Sequence, residues 1–131
     1  MKKSVILLLS VTALVTSCKD GAKQVNNPLM QKFETPFQAP PFDKIKPVDY
    51  KPAFEEGMKQ HKAEIEAIVN NPEEPTFENT IVALDKAGEL LNQTSSIFFN
   101  LYEAMKNDEM QQLAMEISPA VTAHGDEINM N

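Results

Sequence analysis

Apolar residues recur every three or four positions in three stretches of this chain. This spacing predicts amphipathic helices, because an α-helix turns once in about 3.6 residues. The first stretch contains Tyr50, Phe54, Met58, His61, Ile65 and Ile68. The second contains Ile81, Leu84, Gly88, Leu91, Ser95, Phe98, Tyr102 and Met105. The third contains Met110, Leu113, Ile117, Val121, His124 and Ile128. Nothing alternates as a strand does, so we predict an all-α fold.

Capping residues indicate where these three helices begin. Asp49 is a suitable N-cap for the first, and Asn107-Asp108 for the third. Thr76 is a suitable N-cap for the second, which we expect to be one continuous helix over 77–106 with a heptad-like apolar seam. Gly88 lies on that seam and predicts a close approach to another helix. We expect an antiparallel helical hairpin or bundle of about three helices.

A proline-rich segment precedes the helices. Its prolines are Pro28, Pro36, Pro40, Pro41, Pro47 and Pro52, and this density predicts extended chain because proline lacks an N–H and disfavours helix before it. Large apolar residues are interspersed, so we expect the segment to lie along a protein surface: Leu29, Phe33, Phe37, Phe42 and Ile45. Residues 18–28 are mostly polar and predict a flexible tether.

The first residues have the pattern of an export signal. Lys2 and Lys3 precede an apolar run from Val5 to Val15, which is shorter than the about 20 residues that span a membrane. The sequence Val15-Thr16-Ser17-Cys18 resembles the bacterial lipobox. We therefore predict a lipoprotein signal peptide over residues 1–17, cleavage between Ser17 and Cys18, and acylation of Cys18. The alternatives are an ordinary signal peptide or an N-terminal helix with a buried cysteine. Lys19 after the cysteine favours the outer membrane.

The charge balance narrows the possible partners. The chain has 12 lysines, no arginine and 19 acidic residues, for a net charge of −7. This acidity argues against nucleic acid as a partner. A single cysteine excludes an intramolecular disulfide and a multi-cysteine metal site.

Candidate chemistry is sparse. Neither His61 nor His124 begins the H-E-x-x-H motif of helical zinc sites. A lone histidine on an apolar stripe is more often packed than metal-bound, and His124, Asp126 and Glu127 could share an ion only if the helix frayed. The adjacent acids Glu55-Glu56 and Glu73-Glu74 point apart on a helix and predict a solvated face. We therefore predict no catalytic and no metal-binding residue in this chain.

Three segments carry a resemblance to a known family: 27–58, 70–101 and 107–131. Their sequences "PPFDKI", "YKPAFEEGM", "PTFENTIVAL" and "GELL…FFNL" together resemble the start of a bacterial peptidyl-dipeptidase of the thimet-oligopeptidase-like zinc metallopeptidases. The resemblance implies a much longer, nearly all-helical enzyme that binds zinc through H-E-x-x-H and a distant glutamate. Such an enzyme removes C-terminal dipeptides from short peptides, and its N-terminal helices form part of the channel wall.

This chain departs from the family pattern because it lacks H-E-x-x-H, so no active-site residue carries over. We expect residues 29–131 to be the N-terminal helical region of such a peptidase, as a truncated gene product or a gene-prediction fragment, inactive alone. Zinc is expected only in the full-length protein. The expected partners are the remainder of the peptidase, short peptides in the full-length enzyme, and the membrane through the lipid anchor. The alternative is a non-catalytic, lipid-anchored helical interaction module.

Overall fold

The structure, a computed structural model, describes residues 26–130. Two 3-10 turns, Pro28–Met30 and Pro36–Gln38, lead to helix α1 (Pro47–Val69). A π-helical turn, Phe77–Val82, runs directly into α2 (Ala83–Lys86), which is followed by α3 (Glu89–Ala104) and α4 (Asp108–Asn129). The described range contains no strand. The predicted all-α fold, with three principal helices after a proline-rich segment, is confirmed.

Helices α1 and α3 form an antiparallel hairpin around an aromatic cluster. The ring centroid of Phe98 lies 5.0 Å from that of Tyr50 and 5.6 Å from that of Phe54, both in edge-to-face geometry. All three side chains are buried. Edge-to-face pairs add a directional attraction to the apolar burial. The cluster therefore holds the first turns of α1 against the second half of α3.

Gly57 sets how closely these two helices approach. A Cβ built on Gly57 would lie 3.0 Å from the Cα of Leu91 and 3.1 Å from its backbone nitrogen. Those atoms belong to the backbone of α3, so they cannot move aside as a flexible side chain would. Only glycine at this position permits the observed packing distance.

Helix α4 packs beside α1 in parallel orientation. It buries Met110, Ala114, Ile117 and His124. Two ion pairs bridge the helices with the same sequence offset, Lys51 to Glu116 (Nζ to Oε2, 3.4 Å) and Lys62 to Glu127. The Asn107 side chain accepts a hydrogen bond from the Met110 N–H at 2.9 Å, which confirms the predicted cap.

The predicted continuous helix over 77–106 is wrong, because the chain turns at Gly88. This glycine has φ 78°, in the left-handed region that other residues rarely adopt. Its N–H donates to the Glu64 carboxylate at 2.7 Å, which ties the turn to α1. The apolar seam is therefore divided: Leu91 and Phe98 are buried, whereas Ile81 and Leu84 are exposed. The prediction of a close approach at Gly88 is confirmed, since a Cβ there would meet the His61 ring at 3.1 Å.

The proline-rich segment lies along the hairpin as predicted, although only part of it is buried. Leu29 is buried in the core, and Phe33 and Ile45 pack against it. The Asn27 side chain is also buried, donating to the Asp49 carbonyl at 2.7 Å and accepting from the Leu29 N–H at 3.0 Å. In contrast, Phe37 and Phe42 face solvent. The segment is therefore anchored by the residues near its two ends.

Helix α1 begins earlier than predicted. Its first residue is Pro47, and Asp49 lies within the first turn instead of at the cap position. The Asp49 carboxylate accepts a hydrogen bond from the Lys46 N–H at 2.8 Å. Asp49 therefore still satisfies a backbone donor at the helix start, from inside the helix. No helix within residues 26–130 combines the length and apolar content needed to span a membrane.

The packing at Gly57 predicts opposite effects for two glycine-to-alanine substitutions. Gly57→Ala should lower the free energy of unfolding by about 1–3 kcal/mol, because the new methyl group overlaps the α3 backbone. Gly125→Ala should raise it by up to about 1 kcal/mol, because a Cβ there meets nothing within 4 Å and alanine favours helix. Urea unfolding followed by circular dichroism measures both. A Gly57→Ala protein as stable as the parent would contradict the close approach.

Candidate functional site

Two histidines that are distant in sequence meet between α1 and α4. The Nδ1 atom of His61 lies 3.0 Å from the Nε2 atom of His124, and the ring centroids are 5.1 Å apart. One ring donates an N–H and the other accepts it through its lone pair. The Gly88 turn packs directly on the His61 ring, with no room for a side chain. The pair therefore joins three elements: α1, α4 and the turn before α3.

Burial and neighbouring charge act on the His124 imidazole. The residue is 8% exposed. Burial lowers the pKa of His124, and proximity to His61 and Lys62 lowers it further, whereas the Glu127 carboxylate opposes the shift. The contact with His61 needs only one N–H between the two facing nitrogens. Burial therefore favours the neutral form of the His124 imidazole.

Acidic side chains near the histidines already have partners. Glu127 is paired with Lys62, and this hydrogen bond lowers the pKa of the Glu127 carboxyl. Glu64 accepts from the Gly88 N–H. Within residues 26–130, no group of three or more histidine, cysteine, aspartate or glutamate side chains is placed to hold a metal ion.

The predicted packing of both histidines is confirmed: His124 is buried and His61 is partly buried. Their mutual contact was not predicted. The available signal was that each lies on the apolar stripe of its helix. The missing information was the register between α1 and α4, which no local pattern in the sequence contains.

The adjacent acids lie on solvated surface, as predicted, although Glu73 and Glu74 lie in a loop and not on a helix. Glu55, Glu73 and Glu74 are exposed. Glu56 accepts a hydrogen bond from Gln60 at 3.0 Å and pairs with Lys59 at 3.3 Å. The bond from Gln60, and to a smaller extent that from Lys59, lowers the pKa of the Glu56 carboxyl. These carboxylates are charged surface groups and not an acid–base pair.

A groove of about 620 Å³ lies between the proline-rich segment and the hairpin. Its lining mixes apolar and polar side chains, among them Phe33, Gln60, Glu64, Glu89 and Gln93. Within the part of the chain that the structure describes, this lining contains no histidine, cysteine or paired nucleophile and base. The groove offers shape and hydrogen-bonding groups, and no catalytic constellation.

Ser17 and Cys18, the predicted cleavage and lipidation residues, lie outside the described residues. Cleavage and acylation at these positions stay predictions.

The histidine pair predicts a stability that falls in mild acid. Because the pKa of His124 is lowered in the folded state, stability is fully present above the ordinary histidine pKa of about 6.5 and is lost as pH falls through the lowered value. The parent should therefore lose more unfolding free energy between pH 7.5 and 5 than a His124→Gln variant. Urea titrations at both pH values measure this difference. The carboxylates are the same in both proteins, so their contributions to the pH dependence of the unfolding free energy cancel. Equal losses in the two proteins would contradict the assignment.

Comparison with known proteins relates this chain to peptidases. It is 46% identical over 105 residues to the dipeptidyl carboxypeptidase of Salmonella typhimurium. It is 44% identical over 105 residues to the dipeptidyl carboxypeptidase of Escherichia coli K12. Each match takes in 80% of this chain and 15% of the relative. No model of a known protein family matches the chain. The resemblance predicted from sequence is confirmed: over most of its length the chain is homologous to bacterial dipeptidyl carboxypeptidases, of which it spans about 15%.

Proposed function

We propose that this chain is the N-terminal part of an exported zinc peptidyl-dipeptidase, a protein that as a whole releases C-terminal dipeptides from short peptides. The observation that carries the proposal is the 46% identity over 105 residues to a dipeptidyl carboxypeptidase. The described residues form one helical bundle, in keeping with the helical enzyme that the resemblance implies. The catalytic region belongs to the part of the polypeptide outside this match.

The described residues do not fit the zinc that such a peptidase needs. A catalytic zinc site takes three protein ligands and keeps one position for water. Residues 26–130 contain two histidines, which are hydrogen-bonded to each other, and the nearby Glu64 and Glu127 are bonded to a backbone N–H and to Lys62. The zinc and the residues that activate water therefore lie elsewhere in the proposed enzyme.

This chain would contribute shape instead of chemistry. The α1–α3 hairpin is fixed by buried aromatic contacts and by the Gly57 approach, so it forms a rigid wall element. A peptidase that accepts only short peptides needs such walls to exclude folded proteins. The groove beside the proline-rich segment belongs to that wall.

A second candidate function is a helical interaction module that works without catalysis. The observation that favours it is the exposure of large apolar side chains on the described surface, because a contiguous patch of such side chains would mark a binding surface: Met30, Phe37, Phe42, Val48, Val69, Phe77, Ile81, Leu84, Phe99, Met105, Met115 and Met130. The same exposure is expected of a segment that packs on the rest of a larger enzyme, so activity must separate the two functions.

An exchange of segments tests the peptidase proposal. The homologous 105-residue segment of the Salmonella enzyme is replaced by the matched residues of this chain. We expect zinc-dependent release of dipeptides from N-terminally blocked peptides, because segments of this identity share one backbone. The chain by itself, with zinc added, should release none. An exchange enzyme that folds and lacks activity, or an active isolated chain, would contradict the proposal. The Salmonella enzyme without the segment is the control.

We also propose that Cys18 anchors the protein to the outer membrane through acylation. The support is the sequence Val15-Thr16-Ser17-Cys18 after an apolar run, together with the net charge of −7. An acidic surface is repelled by anionic headgroups, so the anchor would have to be the lipid.

Substitution of the cysteine tests this anchor. Cys18→Ser should move the protein from the membrane fraction to the soluble fraction and abolish labelling by radioactive palmitate. Lys19→Ala is the matched control, and it should remain acylated and membrane-bound. Membrane partitioning of Cys18→Ser equal to that of the parent would refute the anchor.

A further inference from the structure

Three apolar side chains on the segment before Gly88 have no covering partner among the described residues. Phe77, Ile81 and Leu84 are 68%, 51% and 52% exposed. Phe77 and Ile81 lie on the π-helical turn and Leu84 lies at the start of α2, so the three side chains project from about two turns of one helical segment. We call this surface the 77–84 face. Ile81 and Leu84 belong to the predicted apolar seam, in the part that precedes the turn at Gly88.

The 77–84 face is presented by an ordered helix instead of a frayed end. The Thr76 hydroxyl accepts from the Asn79 N–H at 3.0 Å, and the Asn79 side chain accepts from the Thr76 N–H at 2.7 Å. This reciprocal capping fixes the start of the segment. At the other end, the bond between the Gly88 N–H and Glu64 fixes the exit. The three side chains are therefore held in a defined arrangement that faces solvent.

Negative charge borders the 77–84 face. Glu73, Glu74, Glu78 and Asp85 lie within the same stretch and are exposed, and the first lysine after them is Lys86. A complementary partner would have an apolar centre and basic side chains at its edge. A second copy of this chain, joined through the same face, would oppose these acids with identical acids. A membrane with anionic headgroups would be repelled in the same way.

We propose that the 77–84 face is an internal docking surface that binds the remainder of the peptidase, through an apolar patch on that remainder bordered by basic side chains. This inference rests on the proposed function. The homologous enzymes extend far beyond the matched segment, since the match takes in only 15% of each. The occupant is thus part of the same proposed polypeptide, and the face is buried only when both parts are present.

The exchange enzyme described above tests the face by comparing substitutions in two contexts. Ile81→Asp/Leu84→Asp should lower the Tm of the exchange enzyme by about 3 °C or more, because two charges would enter a buried apolar contact. In the 131-residue chain by itself the same pair should change Tm by about 1 °C or less, because both side chains already face water. The matched control, Asn92→Asp/Gln111→Glu, adds the same charge at exposed positions and should change neither Tm.

Each result decides the inference. A face variant that leaves the exchange enzyme as stable as its parent would overturn the docking surface while the proposed function stands. An unsubstituted exchange enzyme that folds without activity would overturn the proposed function, and the inference with it. Sedimentation of the isolated chain tests whether a second copy of the chain covers the face instead. We expect a monomer. A dimer that Ile81→Asp/Leu84→Asp dissociates would show that a second copy covers the face and would overturn the inference.

Discussion

The contact between Gly57 on α1 and the backbone of α3 is the constraint on which the other packing depends. With no side chain on Gly57, the two helices come close enough for Phe98 to fit between Tyr50 and Phe54. The same antiparallel register brings the Gly88 turn against His61 and Glu64. Helix α4 also packs against α1, where His61 meets His124. Backbone proximity at one position thus sets the geometry of three helices.

The fold class and most of the core followed from apolar periodicity. From the predicted stripes, these residues are buried: Tyr50, Phe54, Leu91, Phe98 and Ile117. The seam through Ile81 and Leu84 was predicted just as clearly, and it is exposed. Its period continues unbroken across Gly88 because the left-handed φ of one residue leaves no trace in apolar spacing. The break depends on tertiary contacts with His61 and Glu64, which a local pattern cannot contain.

The histidine contact could not be predicted from the sequence, whereas the lack of catalytic residues was an expectation from the sequence. The pairing of His61 with His124 depends on helix register over a long separation, so no motif search would find it. The expectation that this chain has no catalytic centre came from missing motifs, and it stays a prediction. A segment that spans about 15% of a peptidase need not contain the residues that cleave peptides. In the docking proposal, its surface of apolar side chains bordered by acids is the part that binds the rest of the enzyme.

The buried Asn27 gives the start of the bundle a defined position. Its side chain is held by the Asp49 carbonyl and the Leu29 N–H, so the chain enters the folded region at one point beside the start of α1. Between Cys18 and this point the chain can extend at most about 30 Å. If Cys18 is acylated as proposed, this length sets a limit: Asn27, where the bundle begins, stays within about 30 Å of the bilayer surface. An enzyme held so would sample peptides from a thin layer next to the membrane.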